Sequence, residues 1–282
     1  MRQIIKRAVM ISALIPLLFI HAASATASDT PPLRVILLPY SNTVTLMKVH
    51  QPLRLHLQDK LQRPVELFTS ADFPGHFANI RQGEFDLAVT GPHFGAWAVE
   101  HGHVALLRYR PSLSPVLAVR RGSGITGPND LRGKVVVLSN RLSTSSLGGE
   151  HWLSGQGLIA GKDYTLKVSP THTSAIMAVT MGEADAAITT HTPIQQSPED
   201  IRSKIAEIVS PISLPHLFTV ANSRLAAGEV SAIREALLSF EASDAGKAFF
   251  TETGYLGYTP LSVTDMDAMR PYVDMFLRNL DQ

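Results

Sequence analysis

Cysteine is absent from the 282 residues. The fold therefore rests on no disulfide, and no thiolate is available as a metal ligand, a nucleophile or a lipid anchor. An excess of either charge is also lacking. Lys and Arg number 25 against 24 Asp and Glu, which excludes the basic footprint of a nucleic-acid partner. Beyond residue 20 no apolar run approaches the roughly 20 residues that a membrane span needs. Apolar residues as such are not scarce: 45% of the chain is hydrophobic and 17% charged, the balance of a globular protein. The length suits one large domain or two of about 100–150 residues each.

What is present begins with a leader. Arg2, Lys6 and Arg7 precede an apolar run over residues 8–20, and the small residues AASATA follow at 22–27. A basic start, an apolar stretch of about 13 residues and an A-x-A site describe a secretory signal peptide over residues 1–27. Cleavage is expected after Ala25 or Ala27. Taking its three basic residues from the 25 leaves 22 against 24 acidic, a mature charge near −2. The expected compartment is a bacterial periplasm.

The mature chain alternates apolar runs with helical patterns. Strands are expected at 33–38, 65–69, 85–89 and 104–109, with helices at 43–61, 73–82 and 93–101 between them. Pro52 is expected to kink or divide the first helix. A similar unit starts again with strands at 134–138, 165–168 and 184–188 and helices at 145–155 and 173–181. This order predicts two α/β lobes, each a mostly parallel sheet flanked by helices. The apolar segments 116–120 and 217–221 run between the units. Amphipathic helices are expected at 230–242 and 264–280, the latter interrupted at Pro271. Two crossings make a hinge, and the lobes divide as residues 28–117 plus 220–282 and residues 118–219.

In open α/β sheets ligands sit beyond the carboxyl ends of the strands. The loops there contain Tyr40, Ser41 and Asn42; Thr90, Gly91, Pro92 and His93; the run from Ser139 to Gly149; Ser169 to Ser174; and Thr189 to Thr192. They are rich in hydroxyls, hold histidines and contain no Asp or Glu. Ser143, Thr144, Ser145 and Ser146 at a helix start combine hydroxyl donors, free amides and the positive end of a helix dipole, an arrangement suited to an oxyanion. Simple N-capping needs only one such residue, so the composition leaves both readings open.

Several segments carry a resemblance: LRVILLPY (33–40), LQRPVEL (61–67), RQGEFDLAVTGP (81–92), DLRGKVVVL (130–138), STS (143–145) and HTSAIMAVTMGEADAA (172–187). In order and spacing the chain resembles the periplasmic phosphate, phosphite and phosphonate-binding proteins of ABC importers, which have the two-lobed type II periplasmic-binding fold. The resemblance implies that Ser143, Thr144 and Ser145 hold the oxygens of a small oxyanion. It implies that Tyr40 and the loop Thr90, Gly91 and Pro92 close from the other lobe, and that His172 adds a donor. It also implies a monomer that hands its ligand to a transporter permease, with no cofactor. Two departures stand out. Ser146 occupies a position usually held by Gly, and residues 190–192 offer no acid for an aminoalkyl substituent, which favours a small oxyanion or an uncharged phosphonate.

Other readings attach to the same residues. His172 is expected to titrate beside the anion, so that binding weakens across neutral pH, and His191 is a further candidate contact. An enzyme would use Ser143 or Ser145 as nucleophile and His172 as base, yet G-x-S-x-G is absent and no acidic orienter is evident. A sensor-kinase partner or chemoreceptor would use the same closed lobes. His101 and His103 do not complete a metal site, His50 and His56 read as solvated, and Trp97 and Trp152 read as packing residues.

Overall fold

The structure is a computed structural model that describes residues 30–280; the leader expected over residues 1–27 lies outside the described residues. The first half runs β1 (Leu33–Leu37), α1 (Thr43–Leu61), β2 (Val65–Thr69), α2 (Phe73–Gln82), β3 (Leu87–Thr90), α3 (Pro92–Glu100) and β4 (Val104–Tyr109). Two short strands, β5 (Ser112–Leu113) and later β11 (Leu214–Pro215), flank the second half. That half contains β6 (Val116–Arg120), β7 (Val135–Leu138), α4 (Thr144–Gly155), β8 (Thr165–Val168), α5 (His172–Met181), β9 (Ala186–Thr189), α6 (His191–Gln195), α7 (Glu199–Arg202) and β10 (Ile205–Val209). The chain then returns through β12 (Phe218–Ala221), α8 (Ala227–Ala242), α9 (Asp244–Thr253), β13 (Tyr258–Pro260) and α10 (Val263–Leu280).

Local chemistry sets these elements. Asn42 caps α1 by accepting the Thr45 amide at 2.9 Å, and Asp72 caps α2 by accepting that of Gly75 at 2.8 Å. Gly83 ends α2 in the left-handed region, φ 70°, where a side chain would be strained. Neither internal proline divides its helix. Pro52 and Pro271 each lie within one continuous helix, because the buried faces hold them: Leu46, Leu53 and Leu57 in α1, and Met269, Tyr272, Val273 and Phe276 in α10.

Two sheets result. The six-stranded sheet has the order β13-β4-β12-β3-β1-β2 and the five-stranded one β10-β6-β9-β7-β8. In the first sheet β1, β2, β3 and β4 point one way, and in the second β7, β8, β9 and β10 do. β6 and β12, the strands that follow the two crossings, run against their neighbours. Residues of β6 alternate between two apolar layers: Leu117 and Val119 join Trp152 and Leu153 of α4, while Val116 and Ala118 join Ala175 and Ile176 of α5. Burial on both faces explains its unbroken apolar run.

The fold is the two-lobed α/β arrangement expected. β5 and β11 pair antiparallel and form a two-stranded ribbon where the chain passes between the halves. The whole of β6 lies in the second sheet and the whole of β12 in the first, so the divisions at 117/118 and 219/220 fall inside strands and the sheets change at the ribbon instead. α10 closes the back of the hinge, packing on α3, α4 and β11. Leu142 and Leu147 of the second half join Tyr272, Val273 and Phe276 of α10 in one apolar cluster.

Close seating of α4 depends on two glycines. A Cβ on Gly149 would stand 2.3 Å from Ile188 Cγ2 of β9, and one on Gly148 would stand 2.8 Å from Pro115 beside the hinge ribbon. Gly149→Ala is therefore expected to overpack this joint and cost about 1–3 kcal/mol. Thermal unfolding checks it: a fall in Tm of roughly 2–4 °C per kcal/mol is expected for a chain of this size.

Candidate functional site

Helices α3, α4, α5 and α6 all start beside one cavity between the sheets, at the carboxyl ends of β3, β7, β8 and β9. Its volume is about 40 Å³. At roughly 10–15 Å³ per water, that is room for about three waters or one small tetrahedral anion. No Asp, Glu, Lys or Arg lines it.

The structure brings Tyr40, Gly91, Pro92, Ser143, Thr144, Ser145 and His172 to this wall. Thr90 and His191 are not among its lining residues. Thr90 is buried under the loop, its hydroxyl 2.8 Å from His76 Nε2, because the strand alternation that presents Gly91 turns Thr90 away. His191 lies on the outer side of α6, where its Nδ1 pairs with Glu207 at 3.0 Å. That carboxylate raises its pKa, and two-thirds of the side chain is exposed.

The hydroxyl run divides its duties. Ser143 is the N-cap of α4: its Oγ accepts the Ser146 amide at 3.1 Å and donates to Ser146 Oγ at 2.8 Å. Ser146 does not line the cavity, so the hydroxyl standing in the usual glycine position fills a buried space behind the cap. Ser145 lines the cavity and donates its Oγ proton to Ser143 Oγ at 3.1 Å, since the Ser143 proton is committed to Ser146. The amides of Thr144 and Ser145, in the first turn of α4, have no intrahelical acceptor, and the N-cap binds only the amide of Ser146. Tyr40 accepts a hydrogen bond from Tyr255 at 3.1 Å, which leaves the proton of Tyr40 free to be donated; burial pushes the Tyr40 pKa up.

His172 departs from its expected charge. Its Nδ1 lies 2.9 Å from Thr189 Oγ1 and its Nε2 3.2 Å from Ser139 Oγ, so protein hydroxyls hold both nitrogens. Burial lowers its pKa to about 4. At neutral pH it is an uncharged wall residue and not a titrating cation. Its serine partner is Ser139, and neither Ser143 nor Ser145 is hydrogen-bonded to it, so the nucleophile–base pairing is not formed.

Two histidines of the wall were not picked from the sequence. His93 opens α3 and crosses the cleft: Nε2 lies 2.8 Å from the Leu142 carbonyl and Nδ1 2.7 Å from Thr144 Oγ1. His216 sits between β11 and β12, and its Nδ1 accepts the Leu217 amide at 2.8 Å. The proton of neutral His216 is therefore on Nε2. Burial lowers both pKa values to about 3. The available signals were the place of His93 directly after Gly91-Pro92 and of His216 beside a crossing segment. Elsewhere, His50 is buried against Phe249 with Nδ1 3.0 Å from the Leu46 carbonyl, and His56 meets Ser239 and the Ala236 carbonyl. Neither is the free surface histidine expected. His101 stacks on Trp97 while His103 packs on Phe85.

The family model for the periplasmic substrate-binding protein of phosphonate ABC transporters matches residues 35–266. The chain belongs to this family. Among solved structures it is similar to the binding-protein component of a phosphonate transporter from Pseudomonas aeruginosa, with 16% identity, a TM-score of 0.77, and coverage of 90% of this chain and 88% of that one. It is also similar to PhnD1 of Prochlorococcus marinus in complex with methylphosphonate, with 16% identity, a TM-score of 0.74 and coverage of 88% and 98%. The alkanesulfonate-binding protein SsuA of Xanthomonas axonopodis pv. citri bound to MOPS is a more distant match, with 17% identity, a TM-score of 0.61 and coverage of 89% and 94%. These likenesses show the type II periplasmic-binding fold of the phosphonate-binding family. Within that family this chain has a wall without formal charge, in which the histidines are neutral.

That neutrality has a stability consequence. His50, His76, His93, His172 and His216 are all held at about 3 to 4 by burial, against about 6.5 when unfolded. Between these values the unfolded chain binds protons that the folded chain does not, so stability is full above pH 6.5 and is lost as pH falls toward 4. Each histidine contributes up to about 1.4 kcal/mol per pH unit. Thermal melts from pH 8 to 4 check it: Tm is expected to be level near neutrality and to fall steeply below pH 6, and His172→Gln is expected to make the fall shallower.

Proposed function

We propose that the protein captures a small phosphorus oxyanion (a phosphonate with a short substituent, phosphite or phosphate) and delivers it unchanged to the permease of an ABC importer. The carrying observation is the 40 Å³ cavity between the lobes, free of charged side chains and walled by unused amides at a helix start. An anion there exchanges its water for the Thr144 and Ser145 amides, the Tyr40 hydroxyl and the His216 Nε2–H. The half-charges at the starts of α3, α4 and α5 favour a negative guest without a counter-ion. Similarity to PhnD1, whose complex holds methylphosphonate, supports the phosphorus class, and the small volume supports a short substituent.

The lobes divide the work. The amides of α4 receive the anion first, and closure adds Tyr40 and the Gly91-Pro92 loop from the other side. Only these added contacts shift the equilibrium toward the closed shape, since a ligand moves a population by its differential affinity alone. In this reading residues 1–27 direct export and are removed, and the closed monomer is the form recognised at the membrane.

Thermal shift of the mature protein against methylphosphonate, phosphite, phosphate, sulfate and 2-aminoethylphosphonate tests the proposal. A ligand at a hundred times its Kd is expected to stabilise by about 2.7 kcal/mol, with the small phosphorus anions leading and the aminoalkyl compound weak. No shift with any of them would refute it. By calorimetry, Tyr40→Phe is expected to weaken binding roughly ten- to a hundredfold, the loss of one hydrogen bond to a charged group of about 1.5–3 kcal/mol.

A further inference from the structure

Among the described residues, His93 is the wall histidine whose two ring nitrogens both reach the opposite lobe. A carbonyl oxygen only accepts, so the 2.8 Å contact with the Leu142 carbonyl places the ring proton on Nε2. Burial keeps His93 neutral at physiological pH, so Nδ1 carries a lone pair. The 2.7 Å contact with Thr144 Oγ1 then has one polarity: the threonine donates and His93 accepts. A hydroxyl has one proton. Thr144 lines the cavity, and with its proton turned to His93 its oxygen has only lone pairs left to offer a guest.

This reverses the role that the STS run implies for its central residue. A fully deprotonated oxyanion has no hydrogen to share with a lone pair and is repelled by it. A singly protonated one has a P–OH group that can donate there while its other oxygens take the amides and the Tyr40 hydroxyl. We propose, on the oxyanion reading above, that Thr144 acts as an acceptor that selects the protonated, singly charged form of the ligand over its dianion, and that His93 is the positioning residue that holds Thr144 in that role.

The surroundings leave the ligand as the titrating partner. The groups around His93 and Thr144 are His76 from α2, His172 from α5, His216 from the hinge, and Tyr40 and Tyr255 from the first lobe, while Tyr272 of α10 lies further along α4 at Gly148. The three histidines are pushed by burial to about 3 to 4 and the three tyrosines are pushed upward. None of these groups changes charge between about pH 5 and 9, and no Asp, Glu, Lys or Arg lines the cavity. His191, paired with Glu207 on the outer side of α6, does titrate within that range, but its break would fall at one pH for every ligand, so a break that moves with the ligand follows the proton on the ligand.

Calorimetry of the mature protein with methylphosphonate and with phosphite, each from pH 5 to 9, tests this. The two anions have different second pKa values. Affinity is expected to be level below each ligand's own second pKa and to weaken tenfold per pH unit above it, the one-proton slope, with the break moving from ligand to ligand. His93→Phe, which returns the threonine proton to the cavity, and Thr144→Val, which removes the lone pairs, are each expected to reduce the slope to less than threefold per unit. If His93→Phe fails to fold, Thr144→Val carries the test alone. Affinity that is flat or rises with pH, a break at one pH for both ligands, or an undiminished slope in Thr144→Val would overturn the inference. Absence of binding by both anions at every pH would overturn the oxyanion reading itself.

Discussion

Burying a negative charge without a cation beside it is feasible only where fixed dipoles replace the water it loses, and the start of α4 supplies the largest group of them. Ser143 caps the helix by accepting the Ser146 amide, which leaves the Thr144 and Ser145 amides pointing onward. The cap and the site are therefore one construction. If the same serine had to serve both the helix and the guest, one of them would be left short of a donor. Several neighbouring hydroxyls remove that conflict, because Ser143 and Ser146 satisfy each other while Ser145 remains at the wall.

The position of that helix start follows from packing at a distance. Gly148 lets α4 approach Pro115 beside the hinge ribbon, and Gly149 lets it approach Ile188 of the second sheet. α10, a first-lobe element by sequence position, leans on α4 as well as α3, so the anchoring helix touches both lobes and the ribbon on which they turn. His216 adds a donor on that ribbon. On the proposed reading, a guest held by α4, Tyr40 and His216 would contact both lobes and the ribbon between them, which would couple closure to binding.

Much of this was legible in the chain itself. Apolar runs bounded by caps and glycines marked most strands and helices to within a few residues, though not α6, α7, β10, α9 or β13, and the rule that ligands lie beyond strand ends led to the loops that form the cavity. What the sequence could not express was direction. Thr90 and Gly91 are neighbours, but the pleat points one at His76 and opens the other to the cavity. His191 and Thr192 begin the same short helix, yet only Thr192 faces inward. His50 looked solvated because its helix carries polar residues on either side, whereas α9 packs against α1 and brings Phe249 over its ring. The expected breaks at the prolines did not occur, for a related reason. A break costs little in isolation but would have detached a buried stripe of leucines or aromatics, and tertiary contacts outweighed the lost amide bond.

Protonation was the least legible property, and it shapes the chemistry most. From the sequence, a histidine near an anion reads as a cation in waiting. In the fold, His93, His172 and His216 are buried in a wall with Tyr40, Phe73, Leu113 and Tyr255, where ionisation would forfeit hydration that the neighbours do not restore. A neutral imidazole is directional: one nitrogen gives a proton and the other takes one. Two of these rings therefore transmit a polarity from a fixed backbone group into the cavity, from the Leu142 carbonyl through His93 to Thr144 and from the Leu217 amide through His216 to its Nε2–H. Excluding charge from the wall is what makes those polarities definite, because a protonated ring would donate from both nitrogens and erase the distinction. The apolar shell that excludes charge is in this sense also the part of the site that decides which cavity atoms give hydrogen bonds and which receive them.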